Sequence, residues 1–246
     1  TNLLSGDLHF SAGNILFQGI ASRNISGDGR FDEKSFSIDI GQAEMFGGRV
    51  KLAATGSASK TLFPIKATVV AEGMDLTALE KSMPKSMTIP YRVAGIMKKA
   101  TFDGIVHSYG SLRGSAFLET GSVSFSDSNT GRDRIKDASL KAEIEFKDRD
   151  LTFKAEAAAG KVVTHLSGTV TGFLEKERGL QIKGILPEVN LTEIRDSFWD
   201  LFPDRLLYAG LDGSISSGFS ILSGKDGPNV SGIVTLKDCF LRGEYG

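Results

Sequence analysis

Three histidines, His9, His107 and His165, and a single cysteine, Cys239, are the residues of this chain best suited to acid–base, nucleophilic or metal chemistry. They lie far apart, and none has Cys, His or Asp neighbours at the spacing that a zinc site requires. Each histidine sits in a stretch that reads as a strand, where a lone imidazole faces solvent or takes a hydrogen bond. One cysteine cannot close an internal disulfide. The stretch "SGDGRFDE", Ser26 to Glu33, has the acidic spacing that opens a calcium loop. It lacks the full ligand set and the closing bidentate Glu, so it reads as a turn. No G-x-S-x-G, P-loop or G-x-G-x-x-G stands between a strand and a helix. The expectation is a protein that is not an enzyme and takes no metal and no cofactor.

Composition narrows the partners. The 246 residues carry a net charge of −1, with no basic cluster interleaved with aromatics, so nucleic acid is not an expected partner. Gly is abundant at 29 and Pro scarce at 6, which suits many short turns between strands. No apolar run reaches the 18 residues of a membrane-spanning helix. The chain starts at Thr1 without Met and is read as a piece of a longer protein, with any anchor or export signal outside it.

Alternation dominates the elements that must position these residues. In "SLKAEIEF", Leu140, Ala142, Ile144 and Phe146 face one way, and Lys141, Glu143 and Glu145 the other. "LTFKAEA", "SFSIDI" and "RVKLA" repeat the pattern. Period two with charged outer residues marks antiparallel sheet with one wetted face. Between strands lie "KDRD", "SGDG", "SNTGRD" and "GKDGPN", all turn-like. Two segments break the pattern. "NLTEIRDSFWDLFP" predicts a helix over 190–202, capped by Asn190 with Glu193 as a capping box and stopped by Pro203. "MDLTALEKSMP" predicts a shorter helix over 75–83, capped by Asp75.

The chain repeats itself. "AEMFGGRVKLAATG" from Ala43 and "AEAAAGKVVTHLSG" from Ala155 align at a shift of 112, which matches Gly48 with Gly160 and Gly56 with Gly168. A second pattern starts at Ser5, Arg113 and Ser231, each copy reading as a hairpin of strand, tight turn and strand; its second glycine is kept in two copies, as Gly13 and Gly121, and is Cys239 in the third. Three units result: 1–110, 111–228, and the start of a third over 229–246. Gly47, Gly48 and Gly160 are read as structural glycines. A bulge or sharp bend in a curved sheet would use them, and so would a plain turn.

The stretch "FDEKSFSIDIGQAEMFGGRVKLAATG…ATVVAEGMDLTALEK" resembles the C-terminal region of AsmA-like proteins of Gram-negative bacteria, related to the TamB and YhdP proteins. The matching positions are Phe46, Gly47 and Gly48, then Gly73, Met74, Asp75 and Leu76. The second unit departs from the pattern at Ala158, Ala159 and Asn190. The resemblance implies a mainly β fold: a long, curled, mostly antiparallel sheet of repeated units, an open groove, with two short helices. It implies a periplasmic protein tethered in the inner membrane. Such a protein would carry phospholipid or another acyl-chain lipid between membranes, or maintain the outer membrane, with envelope proteins as possible partners. The alternative is a structural or assembly scaffold with a closed core and no lipid cargo.

A trough for acyl chains needs an apolar lining and no catalytic group, since each methylene removed from water contributes about 0.8 kcal/mol. The lining candidates are the apolar positions of the alternating strands: Phe36, Ile38, Val50, Leu52, Ile65, Val69, Leu140, Ile144, Phe146, Leu151, Phe153, Val162, Leu180 and Ile182. The same residues would fill the core of a closed sandwich or barrel. The amphipathic helix from Leu191 to Phe202 would cap one end of the groove or pack on the sheet.

Overall fold

The computed structural model describes residues 5–17, 20–57, 64–82, 91–108, 111–128, 130–131, 133–173, 175, 178–198, 210–224 and 227–242. Thirteen strands and two short helices account for most of them. The first unit holds β1 (Gly6–Phe17), β2 (Ile20–Phe31), β3 (Ser35–Met45), β4 (Gly48–Ser57), β5 (Ile65–Asp75), α1 (Leu76–Ser82) and β6 (Tyr91–Ser108). The second holds β7 (Ser111–Asp127), β8 (Asp133–Asp148), β9 (Asp150–Ala159), β10 (Val162–Thr171), β11 (Gly179–Asn190), α2 (Leu191–Ser197) and β12 (Gly210–Gly224), and β13 (Gly227–Arg242) follows. All thirteen strands form one antiparallel meander in chain order, not closed into a barrel. The sheet runs unbroken through the junctions of the repeats, because β6 pairs β7 and β12 pairs β13.

The repeat is structural. Six strands with a helix after the fifth occur twice, and β1, β7 and β13 take equivalent places. Odd strands of a meander run in one direction, so α1 and α2 lie at the same end of the sheet. The three hairpins expected at Ser5, Arg113 and Ser231 are instead three single strands, β1, β7 and β13. The expected turn glycines Gly13 and Gly121 sit inside strands where the pairing skips or shifts register. Positive-φ residues stand beside them: Asn24, opposite Gly13, where β2 shifts register against β3, and Asp137, where β8 carries one residue more than β7; in the third copy the extra residue is on β13 itself, at Asp238. "SGDG" is also strand rather than turn. Gly27 and Gly29 belong to β2, and a Cβ on Gly27 would meet the Phe10 ring and the Asp39 carbonyl.

The glycine step resolves as a turn. Phe46 and Gly47 both have positive φ (49° and 77°) and join β3 to β4, since Met45 pairs with Gly48. Gly48 serves a different purpose. It is buried, and a Cβ there would lie 2.4 Å from the Glu72 carbonyl oxygen. In the second unit Gly160 and Lys161 form the turn, with Ala159 opposite Val162. Gly160 therefore matches the turn of the first unit, not Gly48.

Helix α1 starts as its sequence requires. Asp75 Oδ1 accepts hydrogen bonds from the Thr77 and Ala78 backbone N–H groups at 2.7 and 3.3 Å. Helix α2 follows Asn190, but the Asn190 side chain makes no capping bond. Glu193 lies 3.5 Å from Lys161 Nζ, an ion pair to the β9–β10 turn. The helix ends at Ser197, where Phe198 leaves helical geometry (φ −127°). Residues 199–202 of the predicted helix lie outside the described residues.

The β2–β3 turn is held by Asp32. Its carboxylate accepts from the Ser35 hydroxyl at 2.7 Å and from the Lys34 and Ser35 N–H groups at 2.7 and 2.8 Å. These bonds, the Ser35 hydroxyl first, hold its carboxyl below the usual value. A depressed folded-state pKa means that this support is present above the unfolded value and is lost as pH falls through the folded one. Following the Asp32 carboxyl by NMR should show a midpoint below that of a free Asp, raised by Ser35→Ala. A midpoint at the ordinary value would contradict the turn geometry.

Candidate functional site

The register turns alternation into two different faces. Direct cross-strand partners share a face, so partners can be followed from strand to strand. One row runs Ile40–Leu52–Val69–Phe102–Ala116–Ile144–Phe153–Gly168–Ile182–Ile221–Val230, from β3 to β13 without a polar residue. Two residues to one side, a second row runs from Leu8 on β1 through Ile38, Phe146 and Leu151 to Leu180 on β11. Two residues to the other side, a third runs from Ala43 on β3 through Val50, Leu118 and Leu166 to Gly232 on β13. Every position in these rows is Gly, Ala or a larger apolar residue. At ordinary strand spacings they make a stripe roughly 48 Å long and about 14 Å wide.

All fourteen lining candidates lie on this face. Leu52, Val69, Ile144, Phe153 and Ile182 are in the central row; Ile38, Phe146, Leu151 and Leu180 in the second; Val50 in the third. Phe36 and Ile65 flank Gly56 one step beyond the second row, and Leu140 and Val162 extend the third-row side. The alternation missed Phe102, Leu118, Leu166, Phe219 and Ile221, which complete the rows. The signal for them was present: each alternates within its strand like the residues chosen.

Glycines and phenylalanines are paired on the apolar face. Phe36 lies over Gly56, Phe153 over Gly168 and Phe219 over Gly184, each across one strand pair. A ring over a glycine covers backbone that has no side chain of its own and keeps the apolar surface continuous. Phe102 and Phe146, on β6 and β8, meet edge to face at 6.0 Å across the intervening β7.

No second layer covers the stripe among the described residues. Strands make substantial contacts only with their sheet neighbours. The accessible surface is 16897 Å², against about 10,600 Å² for a compact protein of this mass. Most lining candidates are half-buried, Ile38 is exposed, and Val162 is buried. The core that exists gathers at the helix end, where Ala71, Met74 and Met97 pack with Phe46, Val50, Leu76, Ala100 and Leu118.

The opposite face is charged, and one row is ordered by sign. Arg23, Glu44, Arg49, Glu72, Lys99, Glu119, Lys141, Glu156 and His165 are successive partners from β2 to β10. From Glu44 to Lys141 each charge has an opposite neighbour on both sides, which favours this register over a slip. Lys141→Glu puts like charges opposite Glu119 and Glu156. It should destabilise the protein by roughly 1 kcal/mol, less in high salt, in denaturant titrations at two ionic strengths. A salt-independent effect would count against the electrostatic account.

An open concavity of about 1250 Å³ lies over this charged face, between β6 and β11. Arg113, Lys154 and Lys183 line it alongside Asp103, Glu143 and Glu145. At its rim Arg113 grips Asp148 with two bonds of 2.8 and 2.9 Å, and these hold the Asp148 carboxyl below its usual value. The histidines stay apart. His9 pairs with Asp28 at the sheet edge and His165 lies 3.8 Å from Glu156. No group of three or more metal-ligating side chains occurs among the described residues, and no described helix is long and apolar enough to cross a membrane. Comparison with protein-family models gave no match, and neither curated proteins nor solved structures gave a significant one.

Proposed function

We propose that this chain is a non-enzymatic segment of an AsmA-like protein of the bacterial envelope, and that its apolar stripe binds lipid acyl chains. The whole protein would be tethered in the inner membrane and reach through the periplasm. Its task would be to carry phospholipid between membranes or to maintain the outer membrane, with other envelope proteins as partners. The observation that carries this reading is the uncovered apolar stripe. Contiguous apolar surface on this scale marks a binding face, because leaving it in water is costly. Its rows present similar side chains at successive strands. A bound chain can therefore shift along them with little change in free energy, as transport requires. A scaffold with a closed, dry core fits less well, because the sheet is not closed.

The test is native mass spectrometry of the purified chain, followed by organic extraction and lipid analysis. Phospholipid retained at a reproducible stoichiometry supports the proposal. A lipid-free chain that also fails to take up a fluorescent fatty acid refutes it and returns the scaffold reading.

A further inference from the structure

We propose that the rings of Phe102, Phe146 and Phe173 make the apolar stripe one acyl chain wide at β8, so that it selects a single-chain lipid over one that lays two chains side by side. This rests on the lipid-binding reading above and adds the class of lipid. The second row reaches Phe146 through Ala54, Ala67, Gly104 and Gly114, so Phe146 is the first large side chain in it after Ile38. Its ring meets two others. Phe102, of the central row, leans onto Gly104 and meets Phe146 at 6.0 Å with 70° between the planes. Phe173 follows β10, belongs to no strand or helix, and meets Phe146 at 5.6 Å and 50°.

Local bonds put Phe173 there. Gly172 turns the chain with a φ of 61°. Its N–H donates to Asp150 Oδ1 at 3.1 Å, and the Phe173 N–H donates to the Arg149 carbonyl at 3.0 Å. Arg149 in turn donates to Glu175 at 2.8 Å. The segment after β10 is thus tied to the β8–β9 turn, and Phe173 backs Phe146 from outside the sheet. Rows of the stripe lie about 7 Å apart, two residues along a strand. A hydrocarbon chain in van der Waals contact on each side, at about 4 Å, fills one such interval. Three rows therefore offer two chains abreast. The Phe102–Phe146 contact bridges the central and second rows and closes the interval between them. The interval from Ile144 and Phe153 to Ala142 and Ala155 stays open. A diacyl phospholipid passes this point with one chain off the stripe.

Displacement of a fluorescent fatty acid from the purified 246-residue chain tests this. The competitors are hexadecanoyl lysophosphatidylcholine and dioctanoyl phosphatidylcholine, which carry the same number of acyl carbons in one chain and in two. Each is held below the concentration at which it forms micelles. The unaltered chain should prefer the single-chain lipid at least about tenfold, because the second chain of the other stays in water. Phe146→Ala removes the barrier and Phe173→Ala lets the Phe146 ring turn aside. Each should cut the preference at least about threefold by strengthening the two-chain lipid. Phe173→Tyr, which keeps the ring contact, should preserve it. Equal affinity for the two lipids in the unaltered chain, a preference indifferent to Phe173→Ala, or a loss of affinity for both alike overturns this inference and leaves the lipid-binding reading standing. A chain that takes up neither lipid nor the fatty acid refutes that reading and this inference with it.

Discussion

A chain carrying both Ile144→Asp and Phe153→Asp is expected to lose its lipid while keeping its fold. The two residues are direct partners on β8 and β9, in the middle of the central apolar row. Both are half-buried, with no second layer above them, so the new carboxylates reach water and do not become buried unpaired charges. What they break is the apolar contact of an acyl chain lying along the row. If about four methylenes lose their cover, the loss is about 3 kcal/mol, or roughly a hundredfold in affinity. Titration with a fluorescent fatty acid measures this directly, and far-ultraviolet circular dichroism checks the sheet. The control is on the same two strands: Glu143→Gln and Lys154→Gln, partners on the charged face, should leave binding unchanged. Equal losses from both pairs would show that the apolar stripe is not the binding face.

Gly48→Ala should be among the most damaging conservative changes in the sheet. A Cβ at Gly48 would lie 2.4 Å from the Glu72 carbonyl oxygen, 2.7 Å from the Met74 nitrogen and 2.8 Å from the Gly73 carbonyl carbon. These are backbone atoms of β5, beside the Phe46–Gly47 turn, and the Asp75 N–H bonds the Phe46 carbonyl at 2.8 Å. Relief requires β4 to move away from β5 where the small core begins. The expected cost is about 2–3 kcal/mol, or roughly 5–10 °C in Tm for a chain of this size. Gly41→Ala is the comparison. Nothing lies within 4 Å of a Cβ there and its φ is not positive, so the change should be near neutral or slightly stabilising. Thermal melts of the two variants decide the matter. Similar Tm values would mean that the close approach at Gly48 does not limit stability.

The contrast between these two glycines shows where the sequence stopped being informative. Gly47, Gly48 and Gly160 stood out by position in the repeat, but their roles depend on φ and on which backbone lies opposite. Neither is visible from residue types. Gly160 looked equivalent to Gly48 and is equivalent to the turn. Gly13 and Gly121 looked like turns and lie inside long strands, because pairing along the full length of a neighbouring strand can absorb an irregularity that an isolated segment would close into a hairpin. At the second helix, composition promised a helix over 190–202 with a capping box. The structure instead gives Glu193 to Lys161 and ends the helix at Ser197.

The amino-acid sequence determined everything that depends on period two. Leu140, Ile144 and Phe146 share a face because successive side chains on a strand point to opposite sides, whatever the strand pairs with. It likewise determined the repeat, the mainly β class, the cap at Asp75 and the division into an apolar and a charged set. The tertiary structure alone decided that Ile144 stands opposite Phe153 and, across eleven strands, that Ile40 and Val230 belong to one row. Register is a relation between strands far apart in sequence, fixed by turns and bulges together, and a one-residue slip would put half of each row on the other face. Only the structure decided that the sheet stays open, since the same alternating strands would fill a closed sandwich. That choice leaves the apolar stripe in need of a partner.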